Sequence, residues 1–296
     1  MNPLVGLMRL LALLPLSWLR GLGWLLGQIL FRTSARRGRV VATNIALCFP
    51  ELQPQQQRAL RQQHFVYFAQ SFLDRAWLWH APEKWVAQRF QFEGHFHNFQ
   101  DPSPLIVLAP HFVGLDAGGL AMTLLQQAHM SFVYVPLKNK SAEAWMTEGR
   151  KRSGRVLTIA RREGPMPMIK SLKDGWRLHF SPDMDFGING SVWSAFFGVK
   201  AATPSSLSRI AKLGRARVCT VVTRMTPQGY TLEMGPVWED FPTQDVDADT
   251  QRMNNDIEAW VRQTPAQYYW VHKRFKTRPP GEPSLYQAGA TLNEPD

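Results

Sequence analysis

From Leu105 to about Gln263, short apolar runs alternate with segments of helical period, and this alternation constrains the fold more than any other feature. Strands are expected near 105–109, 131–135, 156–160, 176–181, 216–223 and 229–236, with helices near 115–127, 141–150, 164–173, 203–213 and 248–263. Strands separated by helices form βαβ crossovers, so the pattern predicts an α/β fold: one domain with a central, mostly parallel or mixed sheet flanked by helices. Upstream, Pro54–His80 has a helical apolar face (Leu60, Phe65, Phe68, Phe72), and Arg89–Phe99 alternates like an edge strand. No internal repeat appears. The expected organisation is an attachment segment over 1–40, the α/β domain over 41–286 and a loose Pro- and Gly-containing tail over 287–296.

The stretch LIVLAPHFVGLDAGG, Leu105–Gly119, carries the clearest chemistry. A buried strand ends at Pro110, His111 follows at once, and Asp116 lies where a helix begins. In parallel sheets the crevice beyond the carboxyl ends of the strands is where ligands bind. An imidazole held by a carboxylate is a general base near neutral pH. The expected pair is His111 as base with Asp116 orienting it. The bland alternative is a histidine capping a helix with Asp116 in its first turn. On an ideal helix five residues turn through about 140°, so the pair can meet only through a local turn.

The net charge of +11 calls for an acidic partner or surface, and the 11 tryptophans and 17 phenylalanines tilt that towards a membrane surface. Leu4–Phe31 is apolar, but Arg9 and Arg20 cut it into charge-free runs of 10 and 11 residues. A span needs about 20. Arg9 and Arg20 are about 20° apart on a helical wheel and share a face, so an interfacial amphipathic helix bent at Pro15 is favoured over a span. Arg32, Arg36, Arg37 and Arg39 follow and would meet anionic head groups. Cys48 and Cys219 each sit in an apolar run and read as buried thiols, with neither a disulfide framework nor a cysteine metal site.

Between Lys138 and Arg162 lie eight basic and two acidic residues. Lys138, Arg150, Arg152, Arg155 and Arg162 are candidates to grip phosphates or carboxylates, against the alternative of a solvated face. Trp145 is the one aromatic in this stretch and no nucleic-acid module is present, so nucleic acid fits poorly. In HFSPDMDFGING, Asp183 and Asp185 point the same way if extended. With His111, His179 and Asp116 they would make a hydrolytic metal site, the competing reading. His95 and His97 look like a metal pair without a third ligand. Phe196 to Ala201 reads as an apolar loop that lines an alkyl slot or covers the sheet. Arg274 and Lys276 belong to a second basic cluster with Lys273 and Arg278, suited to a head group or to an acidic carrier.

The blocks NIALCFPEL, APHFVGLDAGG, PDMDFG, FFGVKAATP and PAQYYWVHKRFKTRPPGEPSLY, in this order over about Arg36 to Tyr286, resemble the lipid A biosynthesis acyltransferases, the H-x4-D/E family. The resemblance implies an inner-membrane enzyme on the cytoplasmic face. Such an enzyme moves a fatty acyl chain from acyl carrier protein to a hydroxyl of a Kdo-bearing lipid A precursor, with no bound cofactor and no metal. It places the catalytic dyad on His111 and Asp116, where many members carry Glu instead of Asp. It implies acidic acyl carrier protein, an anionic lipid acceptor and a membrane surface as partners. Arg150, Arg152, Arg155 and Arg162 become candidates for the acceptor, and Asp183 and Asp185 for orienting basic groups or sugar hydroxyls. A related glycolipid acceptor, or a metal-dependent lipid hydrolase, are the alternatives.

Overall fold

The computed structural model describes residues 3–286; the expected loose tail over 287–296 lies outside them. Two helices, α1 (Pro3–Leu11) and α2 (Leu16–Thr33), meet at Pro15, whose ring and missing N–H favour a break there. α3 (Ala35–Cys48) runs through residue 40 and stops ahead of Pro50. The long α4 (Pro54–His80) begins with proline in its first turn, and the Gln53 N–H donates to the Gln56 side chain at 2.8 Å. A short α5 (Glu83–Ala87) leads into β1 (Phe90–Gly94), β2 (Leu105–Leu108), α6 (Leu115–Leu124), β3 (Met130–Tyr134), α7 (Lys140–Arg150) and β4 (Val156–Ala160). The chain continues through α8 (Pro165–Lys173), β5 (Arg177–Phe180), β6 (Ser191–Phe196), β7 (Val199–Pro204), α9 (Ser206–Gly214), β8 (Arg217–Thr226), β9 (Gly229–Val237) and α10 (Val246–Gln263).

Seven strands form one sheet in the order β1-β9-β8-β2-β5-β3-β4. Its neighbours are parallel except the β8–β9 hairpin, so the sheet is mixed and mostly parallel, as the alternation predicts. β2 lies inside it, paired with β5 and β8, and all four of its residues are buried, which is why it reads as an unbroken apolar run. Its side chains divide two packed layers by the period of two. Leu105 and Val107 join α6 and Trp145 of α7, together with Met8 of α1 and Leu19 of α2. Ile106 and Leu108 join the buried faces of α8, α9 and α10.

α2 and α4 pack closely because Gly23 and Gly27 let the backbones meet: a Cβ at Gly27 would lie 2.5 Å from the Cα of Val66. At the same contact Arg20 pairs with buried Asp74 at 2.9 Å, and the Tyr230 hydroxyl donates to Asp74 at 2.6 Å. The bend at Pro15 is therefore as expected, but Arg20 faces the protein rather than a lipid head group. The outward side of this helical pair carries exposed Leu10, Leu13, Trp18, Trp24, Leu25 and Ile29. No helix among the described residues is long and apolar enough to cross a membrane. Trp77 and Trp79 are core residues, whereas Trp85 is about half exposed at 48%.

The segment expected as an apolar loop near Phe196 is instead the β6–β7 hairpin, a separate two-stranded antiparallel sheet. Phe197 and Gly198, both at positive φ, form its two-residue turn. A phenylalanine in that turn hides the hairpin from a turn-residue search. The hairpin covers the core: Phe196 and Ala201 are fully buried, and Asn254 of α10 donates to the Ala195 carbonyl at 2.8 Å. Cys48 and Cys219 are both buried free thiols. Burial pushes the Cys219 thiol up to about 12 and that of Cys48 higher still.

Candidate active site

The site grows from the register of two neighbouring parallel strands. Leu108 ends β2 and Phe180 ends β5, and they are register partners. His111 lies three residues beyond the first and Asp183 three beyond the second, so the sheet delivers both to the same place. The Ala109 N–H still bonds to the Phe180 carbonyl at 2.9 Å before Pro110 interrupts the ladder. The late segment then pins the loop. The Val113 N–H donates to the Gln267 carbonyl at 2.8 Å, and the Tyr269 N–H to the His111 carbonyl at 2.8 Å.

Asp183 holds His111 at both ends of the residue. Its Oδ2 accepts the His111 backbone N–H at 2.9 Å, and its Oδ1 lies 2.6 Å from the ring Nδ1. Tyr268, buried beside it, donates its hydroxyl to Oδ2 at 3.0 Å. Burial alone would raise the Asp183 carboxyl, but His111 and these donors bring it down to about 2. An ionised carboxylate against Nδ1 requires the proton there, which leaves Nε2 as the basic nitrogen of the neutral ring. His111 lines a cavity of about 570 Å³ beyond the ends of β2, β5, β3 and β4, a volume typical of ligand sites. Leu115, Leu120, Phe132, Met146, Met168 and Ile210 give it largely apolar walls.

The expected contact of His111 with Asp116 is therefore not the one made. Asp116, in the first turn of α6, accepts from Arg150 Nε at 3.0 Å on Oδ1 and from Arg75 at 2.6 Å on Oδ2. Burial opposes its charge, but the two guanidiniums hold its carboxyl well below the ordinary carboxylate range. The helix places Asp116 there because α6 lies hard against β8: a Cβ on Gly118 would stand 2.1 Å from Thr223 Oγ1. Arg75 comes from α4, a helix that the sequence shows chiefly as an apolar face. His179 also lines the cavity. Its ring lies 4.7 Å from that of Phe132 at a tilt of 38°, and burial with the nearby His111 lowers it to about 3.

The metal reading does not fit this arrangement. Asp116 is neutralised by two arginines, and Asp185 fastens a loop. Asp185 accepts the Thr277 N–H at 2.6 Å, the Thr277 hydroxyl at 2.8 Å and the Gly187 N–H at 2.9 Å. Among the described residues no group of three or more His, Cys, Asp or Glu side chains is placed to hold a metal ion.

The profile of the bacterial lipid A biosynthesis acyltransferases matches residues 4–277. The chain belongs to that family. It is 32% identical to the lipid A biosynthesis palmitoleoyltransferase of Escherichia coli K12 over 289 residues, covering 95% of this chain and 92% of the relative. To the lauroyltransferase of the same strain it is 31% identical over 288 residues, covering 95% and 93%. To the myristoyltransferase it is 28% identical over 268 residues, covering 88% and 82%.

With the chain placed among acyltransferases, the remaining basic candidates sort by position. Arg150 lines the cavity, and so does its neighbour in charge Arg161, whose guanidinium stacks 3.5 Å over Phe186. Arg209 of α9, outside the expected basic segment, joins them. Arg152 instead donates to the Leu78 and Ala81 carbonyls at the end of α4, a capping role. Arg155 lies away from the cavity walls, and Arg162, Lys138 and Lys276 are exposed outside them. Arg274 is the clearest correction, being 2% exposed. It donates to the Ala202 carbonyl at 3.1 Å and to Thr203 Oγ1 at 2.7 Å, and it lies over Phe196, so it ties the β6–β7 hairpin to the late segment and does not line the large cavity.

Proposed function

We propose that this acyltransferase moves a fatty acyl chain from the thioester of acyl carrier protein to a hydroxyl of a Kdo-bearing lipid A precursor, with His111 as general base and Asp183 as its orienting carboxylate. The observation that carries the reading is the Asp183–His111 pair, with Nδ1 occupied at 2.6 Å and the ring opening on the cavity. The acceptor oxygen forms a bond to the thioester carbonyl carbon while Nε2 removes its proton. The tetrahedral oxyanion then collapses, the carbon–sulfur bond breaks, and the imidazolium returns the proton to the departing thiolate. A thiol has a pKa of about 8.5, so the leaving group needs little acid assistance and one base suffices. A positioned base contributes roughly 10²–10⁴-fold, and orientation of two bound lipids supplies the larger remainder. Neither cysteine lines the cavity, which fits direct transfer without an acyl-enzyme.

Asp116 takes a different part. Its ion pairs fix Arg150 by Nε, leaving the terminal N–H groups of that guanidinium for an anionic oxygen of the acceptor. The exposed apolar side of α1 and α2 rests on the inner membrane at its cytoplasmic face, with Arg32, Arg36, Arg37 and Arg39 at the head groups. The test is acyl transfer from acyl carrier protein to purified precursor with EDTA present, read by mass spectrometry of the lipid. Wild type is expected to add one acyl chain and His111→Ala none. Equal gain from both proteins would overturn the assignment of the base.

A further inference from the structure

The cavity beyond the sheet is walled from both layers, and its two sides differ in charge. On the α6–α7 side the carboxylate of Asp116 answers the charge of Arg150. On the α8–α9 side Arg161 and Arg209 line the rim, with Arg162 and Lys212 exposed around them. None of these four makes an ion pair with a carboxylate among the described residues, although Lys212 donates to the Gln244 side chain at 2.8 Å. Of the acids nearby, Glu163 accepts the Ala160 N–H at 2.6 Å and Asp174 is paired with Lys170 at 2.5 Å. The same two helices carry two exposed apolar side chains, Met166 of α8 at 67% and Leu213 of α9 at 59%. Like charges without carboxylate partners repel one another in the free protein and are relieved by an anionic partner, which exposed apolar side chains on the same helices would help to hold. α8 and α9 cover the sheet face of Ile106 and Leu108, opposite the layer that holds α1 and the start of α2.

We propose that the α8–α9 rim is the docking surface for the acidic carrier protein that delivers the acyl thioester, so that the donor enters over α8 and α9 and the acceptor from the α6–α7 side. This rests on acyl carrier protein being the donor. A lipid head group is the other anion available, but exposed Leu10, Leu13 and Trp18 belong to α1, the turn after it and the start of α2, which pack with the opposite layer. The acyl chain passes between Met168 and Ile210 to reach His111.

The experiment compares two donors carrying the same acyl chain, acyl carrier protein and uncharged acyl-pantetheine, with the full-length protein. The variant is Arg162→Glu with Lys212→Glu; neither side chain lines the cavity. The expected result is a KM for acyl carrier protein raised about tenfold or more, with kcat near wild type and with acyl-pantetheine turnover unchanged. The wild-type KM for the carrier should also rise with salt, and the variant's should rise less. An unchanged carrier KM overturns the proposal. So does an equal loss on both donors, or weaker binding to anionic vesicles with the carrier KM intact, which would place lipid on this rim. If wild type uses acyl-pantetheine but not acyl carrier protein, the donor assignment itself falls, and the docking surface falls with it.

Discussion

Asp183 grips His111 twice, through Oδ2 on the backbone N–H at 2.9 Å and through Oδ1 on the ring Nδ1 at 2.6 Å. One carboxylate thereby fixes the position of the residue and the tautomer of its ring. Its charge is maintained inside the protein by His111, through both N–H groups and the ring itself, and by the Tyr268 hydroxyl. In the proposed mechanism this pair follows the logic of a triad without its serine, with the acceptor hydroxyl in the serine's place.

Tyr268→Phe removes one donor from this carboxylate and leaves the ring packing intact. A hydrogen bond to a charged group contributes about 1.5–3 kcal/mol, so kcat should fall by about tenfold to a hundredfold if that loss is felt at the base. Steady-state kinetics at saturating donor and acceptor check this, and an unchanged kcat would show that Asp183 is held without it.

Arg20→Met strands the carboxyl of Asp74 inside the α2–α4 contact without its paired guanidinium, the Tyr230 hydroxyl still donating to it. Breaking a buried ion pair from one side costs about 3–5 kcal/mol. A lowered urea midpoint with the slope preserved is expected, and wild-type stability would mean that α2 is dispensable to the fold.

Arg274→Met removes the guanidinium that donates to the Ala202 carbonyl and the side-chain carbonyl of Asn254, and leaves Thr203 Oγ1 only its bond from Asn254. Several unsatisfied buried groups cost about 1–3 kcal/mol each, so Tm should drop markedly. The surviving folded enzyme should keep its acceptor KM. A KM effect at unchanged Tm would return Arg274 to the substrate site.

Most of the architecture was legible because the signals are local. β2 announces itself by four buried apolar residues, and α4 and α10 by their periodicity. Pro15 marks the break between the first two helices. The active-site pairing was not legible, because it depends on strand order. His111 and Asp116 are close in sequence, but Asp183 reaches His111 only because β5 lies beside β2 with Leu108 opposite Phe180. Nothing in a linear chain states that register. Arg75 was hidden for a related reason, as one polar residue in a long helix whose partner lies 41 positions away. Arg274 misled in the opposite direction. A charge in a basic run looks solvated, and only the hairpin carbonyls that it meets explain its burial.

Acid should destabilise the fold in a defined window. Burial lowers His64 and His272 to about 4 and His179 to about 3. Unfolded, these imidazoles take protons below about pH 6.5. The unfolded state therefore binds more protons than the folded one from about 6.5 down to about 4, and stability falls as pH falls through that range. Each group adds about 1.4 kcal/mol per pH unit to the slope. Urea unfolding at pH 7.5, 6 and 5 should show a decreasing midpoint, and replacing His64 with Gln should flatten the trend.

The most direct test of the account is a comparison of Asp183→Asn with Asp116→Asn, each assayed for kcat and acceptor KM at saturating donor. With Asp183 as the partner of His111, Asp183→Asn should lower kcat by about 10²–10⁴-fold at nearly unchanged KM, because the amide no longer holds the proton on Nδ1. Asp116→Asn should act chiefly by raising the acceptor KM, through release of Arg150. The reverse pattern, a kcat collapse confined to Asp116→Asn with Asp183→Asn near wild type, would contradict the account.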